Sequence, residues 1–258
     1  MTLLVIAPET DETARRFADF AIGNGVSTVV AKEFGRVGVT VRAGRDAAGR
    51  AEITVDGAKV RGVLNRGIGD WGREPDAERV FVAAETYAAF WAALALWPGP
   101  VVNRPSAQGF FPRLDPLELV ESGDVAPPRT VILNGGTAPG SEVYHLPDWT
   151  RLEPDAPRSR FDVVQITNRD PVHSSHLLVA GTEVFEIGGA KWLDAGTVAE
   201  VAPVLAWIRR RGMEFCDFTV ERQRGVLRLV DVSCWPGHHL FPHHEDRVYA
   251  ALLNRLGP

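Results

Sequence analysis

The sequence predicts an α/β protein, and three observations carry that prediction. Leu3-Leu4-Val5-Ile6, an apolar run ended by Ala7-Pro8, precedes a helical pattern and a second apolar run at 27–30; strand, helix and strand in about thirty residues is the order of a parallel sheet. Two long helical patterns, 78–97 and 198–211, alternate with short β-branched runs instead of following one another. A hairpin pattern at 213–237 and an amphipathic helix at 245–256 close the chain.

Each element has a local reason. Thr10 or Asp11 can cap the first helix, which runs through Ile22 with Phe17, Phe20 and Ala21 at helical spacing and Gly23 as its stop. Runs 37–41, 51–55 and 60–64 alternate as strands, with Asp56-Gly57 between the last two as a turn. The helix at 78–97 carries Val82, Phe90, Trp91 and Leu94 and is closed by Pro98-Gly99-Pro100, after which Val101-Val102-Asn103 begins another strand. Half of the 18 prolines fall in 104–160, where only brief apolar runs such as 130–133 and 143–145 occur. Beyond it, 161–166, 176–179 and 183–187 are strands, with Ala180-Gly181-Thr182 as a tight turn. In the helix at 198–211, Pro203 predicts a kink or the true start, and Gly212 ends it. The division expected is 1–103, 104–160 and 161–258.

Composition narrows the function classes. Hydrophobic residues are 45% and charged residues 24%, a globular profile, and 258 residues suffice for a large core. A net charge of −5 without any basic run offers no footprint for nucleic acid. No apolar run nears the roughly 20 residues that span a bilayer. The start, MTLLVIAPETDE, lacks a basic lead and turns acidic early, so a cytoplasmic location and reduced core thiols at Cys216 and Cys234 are expected.

The stretch 213–237 concentrates the chemistry. Strands 214–220 and 226–233 flank Gln223-Arg224-Gly225, and a three-residue loop ending in glycine pairs Arg222 with Val226. On that register Asp217 lies opposite Asp231, with Ser233 on the same face as Asp231. Opposed carboxylates repel. A cation, a basic group or a different register resolves the repulsion; a cation is the leading choice. Oxygen ligands on adjacent strands suit Mg²⁺.

Other clusters are weaker. His238, His239, His243 and His244 offer imidazoles that suit Zn²⁺ or Fe²⁺, but adjacent histidines diverge, and solvated or cap positions before the last helix compete with a metal site. Gly135-Gly136-Thr137 lacks the lysine of a phosphate loop, and His173-Ser174-Ser175-His176 lacks a nucleophile elbow. Arg66 and Arg113 have forks matched to carboxylate or phosphate. Trp235, beside Ser233, is the tryptophan placed to line a pocket.

Several of these stretches together resemble the carboxylate–amine ligases of the ATP-grasp superfamily, of the type that adds glutamate to ribosomal protein or modifies peptides. The resemblance rests on Asn103-Arg104-Pro105-Ser106-Ala107, then Arg113, Leu117, Gly123 and Pro128-Arg129-Thr130. It continues with Val164-Gln165, the run from His176, Asp217, and Asp231-Val232-Ser233 ahead of Pro236-Gly237, while Val63-Leu64-Asn65-Arg66 is similar to the domain that precedes the ATP-grasp module. It implies an N-terminal βαβ domain of that preceding type (1–103), a Pro-rich linker with a reduced central subdomain (104–160), and an ATP-grasp-like α+β domain (161–258). It also implies Mg²⁺ on Asp217, Asp231 and Ser233, nucleotide on Arg113 and Gln165, and catalytic roles for Arg66, Arg113 and His176. A small-molecule or peptide substrate follows, with self-association or a partner enzyme.

The departures are specific. The family's central lysine is missing, since Lys32, Lys59 and Lys191 are the chain's lysines. Arg113 stands at the first phosphate-side lysine, His176 at an arginine, and Ser233 at the metal-binding asparagine. Three readings stay open: an ATP- and Mg²⁺-dependent ligase, a peptide- or partner-binding subunit without ATP chemistry, and a metal-dependent enzyme using the Asp/His cluster.

Overall fold

The structure, a computed structural model, describes residues 2–31, 37–42, 50–67, 77–106, 109, 130–132, 142–145, 150–152, 163–167, 174–189, 195–223 and 226–257. Strand β1 (Thr2–Ile6), helix α1 (Glu12–Gly23) and strand β2 (Thr28–Ala31) form the expected unit, with β1 and β2 parallel. Asp11 is the cap: its carboxylate accepts from the Ala14 amide at 3.0 Å. Strands β3 (Val37–Arg42), β4 (Arg50–Val55) and β5 (Ala58–Asn65) follow as a meander. Asp56 and Gly57 turn the last hairpin with φ of 48° and 77°, the left-handed pair a two-residue connection needs. Helix α2 (Ala77–Leu96) and the short β6 (Val101–Val102) complete a six-stranded sheet of order β2-β1-β5-β4-β3, with β6 also beside β5.

Strand β1 is buried along its whole length, as a parallel strand covered on both faces must be. Leu4, Ile6, Val63 and Val101 pack with Phe90, Ala93 and Leu94 of α2 on one face. Val82 of the same helix is exposed.

The middle of the chain holds a second sheet. Strands β7 (Thr130–Ile132), β8 (Glu142–His145), β9 (Thr150–Leu152) and β10 (Val163–Thr167) make a four-stranded sheet of order β7-β10-β8-β9. Strands β7 and β8 fall on the brief apolar runs and β10 on the strand expected at 161–166, whereas β9 was missed because Thr150-Arg151-Leu152 is too short to show a period. Strand β10 pairs with β7 and β8, which places it in this sheet and not with the strands that follow.

The third sheet has order β12-β11-β13-β14, from β11 (Ser174–Ala180), β12 (Glu183–Gly189), β13 (Phe215–Gln223) and β14 (Val226–Ser233), all antiparallel. Helix α3 (Ala195–Arg210) covers one face, burying Val201, Val204, Leu205 and Ile208 against Leu177, Val179, Cys216 and Phe218. It runs through Pro203, which neither starts nor ends it. Gly212 follows at φ 71°.

Helix α4 (Glu245–Arg255) ties the first and third sheets together. Its Val248, Tyr249, Leu252 and Leu256 share one core with Leu3, Val5 and Leu64 of the first sheet, Phe17 of α1, and Leu178, Ala180 and Phe215 of the third. Tyr249 sits at the centre, its ring 5.9 Å from Phe17 and 6.0 Å from Phe241 in edge-on geometry. The chain after α4 lies so close to β5 that a Cβ on Gly62 would meet the Leu256 carbonyl at 2.6 Å. Among the described residues no helix is long and apolar enough to cross a membrane.

Candidate functional site where the first and third sheets meet

The third sheet has one covered face and one that changes character along its length. Side chains alternate on a strand, so Ala180 and Phe215, then Leu178, Asp217 and Ser233, then His176 and Thr219 succeed one another on the face turned away from α3. The apolar end of that face is the shared core under α4. Past Leu178 it becomes polar. The polar residues there are still buried or half-buried, with Thr219 at 3% exposure.

The hairpin register differs from the one expected. Gln223 pairs with Val226, so the turn shifts the register by one residue, and Val230 is an extra residue of β14 that shifts it by one more. Asp217 therefore lies opposite Ser233, and Asp231 opposite Thr219. A single slip would have moved the set to the other face; two slips restore it. The carboxylate positions are diagonal, not directly opposed, which relieves the repulsion expected between them. Direct opposition of Asp217 and Asp231 is thus corrected.

Asp217 is 8% exposed, and its Oδ2 lies 2.9 Å from His176 Nε2. Its Oδ1 is buried with no hydrogen-bond partner. An acceptor left bare in a buried site costs about 1–3 kcal/mol, and more when charged, so it marks a position that a cation or donor can occupy. Ser233 Oγ accepts from the Trp235 amide at 3.1 Å.

The other wall comes from the first sheet. Arg66 follows β5 directly; its amide donates to the Ile6 carbonyl at 2.8 Å, and Gly67 then turns the chain with φ 84°. This is the carboxyl end of the parallel strands β1 and β5, where open α/β sheets place their ligands. The Arg66 guanidinium is 3% exposed, gives its Nε–H to Asp11 Oδ2 at 2.6 Å and stacks 5.3 Å above the Phe215 ring. Its Nη1 is buried without a partner. Phe215, on which Arg66 stacks, precedes Asp217 by one step on the same face. The Trp235 indole donates to the Arg66 carbonyl at 2.6 Å and remains 42% exposed, which fixes an aromatic surface at the rim.

Comparison with solved structures places this architecture. The macrocyclase MdnC from Microcystis aeruginosa MRC, solved with precursor peptide MdnA, is similar over 98% of this chain and 100% of its own, with a TM-score of 0.66 at 13% identity. The ATP-grasp ligase PsnB, solved with precursor peptide PsnA2 and AMPPNP, is similar over 99% and 98%, with a TM-score of 0.64 at 16% identity. The fold is that of the ATP-grasp ligases. A RimK-domain ATP-grasp protein from Sphaerobacter thermophilus DSM 20745 is similar over 99% of both chains, with a TM-score of 0.55 at 18% identity. No protein-family model and no curated protein matches the sequence.

Within this ATP-grasp fold, His176, Asp217 and Ser233 share one face of the third sheet, and Arg66 stacks on Phe215, two residues before Asp217. Asp231 takes a neighbouring register position, and its side chain lies outside the described ones. The same holds for Gln165 on β10, while Arg113 lies outside the described residues altogether. The four histidines are not brought together as a group of ligands. His238 and His239 stand edge to face at 6.0 Å, His244 occupies the cap position of α4 beside Phe185, and no three His, Cys, Asp or Glu among the described residues are grouped as ligands. Cys216 and Cys234 are buried and form no disulfide. Sequence reasoning missed Asp11 as a partner of Arg66, because its capping role already explained it, and it missed the amides of Asn65 and Asn103.

Proposed function

We propose that this chain is an ATP- and Mg²⁺-dependent carboxylate–amine ligase of a biosynthetic pathway, acting on a peptide. The observation that carries this reading is the bare, buried Oδ1 of Asp217 beside His176, one step along the sheet from Phe215, on which Arg66 stacks. The likeness to ligases solved with precursor peptides supports the peptide.

Asp217 with Asp231 and Ser233 would hold Mg²⁺, for carboxylate and hydroxyl oxygens suit an ion that keeps water and phosphate in its remaining positions. Bound there, the ion would neutralise phosphate charge. In the ligation, a substrate carboxylate oxygen takes the γ-phosphoryl group with loss of ADP, and the amine then displaces phosphate. Arg66 supplies a fixed cation for an anionic oxygen; Asp11 holds its plane and Phe215 its height. His176, at 2.9 Å from Asp217, orients that carboxylate. Arg113 and Gln165 are proposed on the nucleotide side.

The missing central lysine favours a second reading, a peptide-binding subunit without phosphoryl transfer. Thermal unfolding with ATP and Mg²⁺, singly and together, separates the two. A ligand that binds only the folded state at a hundred times its dissociation constant stabilises by about 2.7 kcal/mol. A shift that needs both components supports the ligase. A shift from neither, alongside one from a peptide, supports the binding subunit.

A further inference from the structure

Asn65 and Asn103 are the most deeply buried amides in the described chain, both at 0% exposure, and neither belongs to the set just described. Asn103 follows β6 in the left-handed region, φ 56°, a conformation that asparagine tolerates and most residues resist. Its side chain reaches the third sheet. Oδ1 accepts from the amides of Glu214 at 3.0 Å and Phe215 at 2.9 Å. Nδ2 donates to the carbonyls of Phe215 at 2.8 Å and Cys234 at 3.5 Å.

Those contacts fall where the β13–β14 ladder stops. Its last paired residues are Asp217 and Ser233, and the Asn103 amide takes up backbone groups of both strands just beyond them. Asn65 closes the link on the other side. Its Nδ2 donates to the Asn103 carbonyl at 3.0 Å, and its Oδ1 accepts from the Gly67 amide at 3.3 Å, which holds the turn that carries Arg66.

We propose that Asn65 and Asn103 are positioning residues, two buried amides in series that set Arg66 on the first sheet against Asp217 and Ser233 on the third. A buried amide is worth retaining only when its donors and acceptors are met, and this chain meets them with backbone groups next to Arg66 and Ser233 and two residues before Asp217. The inference rests on the proposed site for its functional meaning, but its geometric content is testable alone.

The test follows the Trp235 indole N–H, which bonds the Arg66 carbonyl and so reports the spacing between the two walls. Protein labelled with ¹⁵N at tryptophan is compared as wild type, Asn103→Gly and Asn65→Ser, with the Trp235 signal assigned from Trp235→Phe. Glycine keeps the left-handed backbone and removes the amide. Both variants should move the Trp235 signal and speed its solvent exchange about tenfold, the equivalent of ~1.4 kcal/mol, while the buried Trp207 signal stays in place. Val204→Ala, which loosens the opposite face of the same sheet, should leave Trp235 unmoved. A folded Asn103→Gly or Asn65→Ser with an unchanged Trp235 signal overturns the relay, as does an equal effect in Val204→Ala. Should Asn103→Gly fail to fold, Asn65→Ser decides. Titration of the same samples with MgATP reads the ligase separately: no response in the wild type counts against the ligase, whereas the tryptophan signals still decide the relay.

Discussion

His176 Nε2 meets Asp217 Oδ2 at 2.9 Å, so a single carboxylate has one oxygen held by an imidazole and the other buried and unmet. Asp217→Asn removes the charge while conserving shape. Without ligand the variant should be as stable as the wild type or more stable by up to about 1 kcal/mol, since a bare buried acceptor carries a desolvation cost. With Mg²⁺ and ATP together it should show none of the shift proposed for the wild type. Thermal unfolding of both proteins reads the two effects at once, and a retained shift would remove Asp217 from the metal site.

Asp11 and Arg66 lie on the sheet's carboxyl edge with side chains 9% and 3% exposed. Breaking a buried pair leaves an uncompensated charge and costs about 3–5 kcal/mol. Asp11→Ala also loses a helix cap, about 1 kcal/mol more. Arg66→Ala with Asp11→Ala should cost clearly less than the sum of the single changes. Denaturant unfolding of the four proteins of the cycle measures this; simple additivity would mean that the pair is not coupled.

The contrast between these residues and the hairpin shows what sequence can carry. Asp217 and Ser233 lie on different strands, and they share a face as expected only because two one-residue shifts of register cancel in side-chain direction. Their partner position was misassigned because the turn pairs Gln223 with Val226 and a bulge at Val230 adds one more residue, neither with a side-chain signature. The sheets themselves were legible from apolar runs, and α1 from its cap. Asp11 with Arg66, 55 residues apart, and Asn65 with Asn103, 38 apart, are tertiary pairs. In a linear reading, a capping aspartate and two asparagines near turns already have local explanations, and nothing local marks their burial.

Burial pushes the Cys234 thiol up to about 12 from an ordinary 9.0, and burial raises Cys216 as well, with Cys234 and Asp217 adding to it. A group whose folded value is raised contributes stability that is full below its unfolded value and fades as pH climbs toward the folded one. Stability should therefore decline from about pH 9 upward, and Cys234→Ala should flatten part of that decline. Both thiols should resist alkylation in the native protein and react at once in denaturant. Rapid native labelling of either would contradict the burial seen here.

Pro203 lies on the exposed side of α3 with helical residues before and after it. A proline inside a helix lacks an amide donor and crowds the carbonyl four residues earlier, at a cost of about 3 kcal/mol in a regular helix. Helix α3 persists because Val201, Val204, Leu205 and Ile208 are buried against the third sheet and outweigh that local penalty. Pro203→Ala restores the donor without touching the packed side. The variant should gain about 1–3 kcal/mol in denaturant unfolding, with MgATP and peptide responses unchanged because α3 covers the face opposite the site. A loss of stability would mean that the helix bends at Pro203 to fit the sheet, and that the proline is part of the packing instead of a tolerated defect.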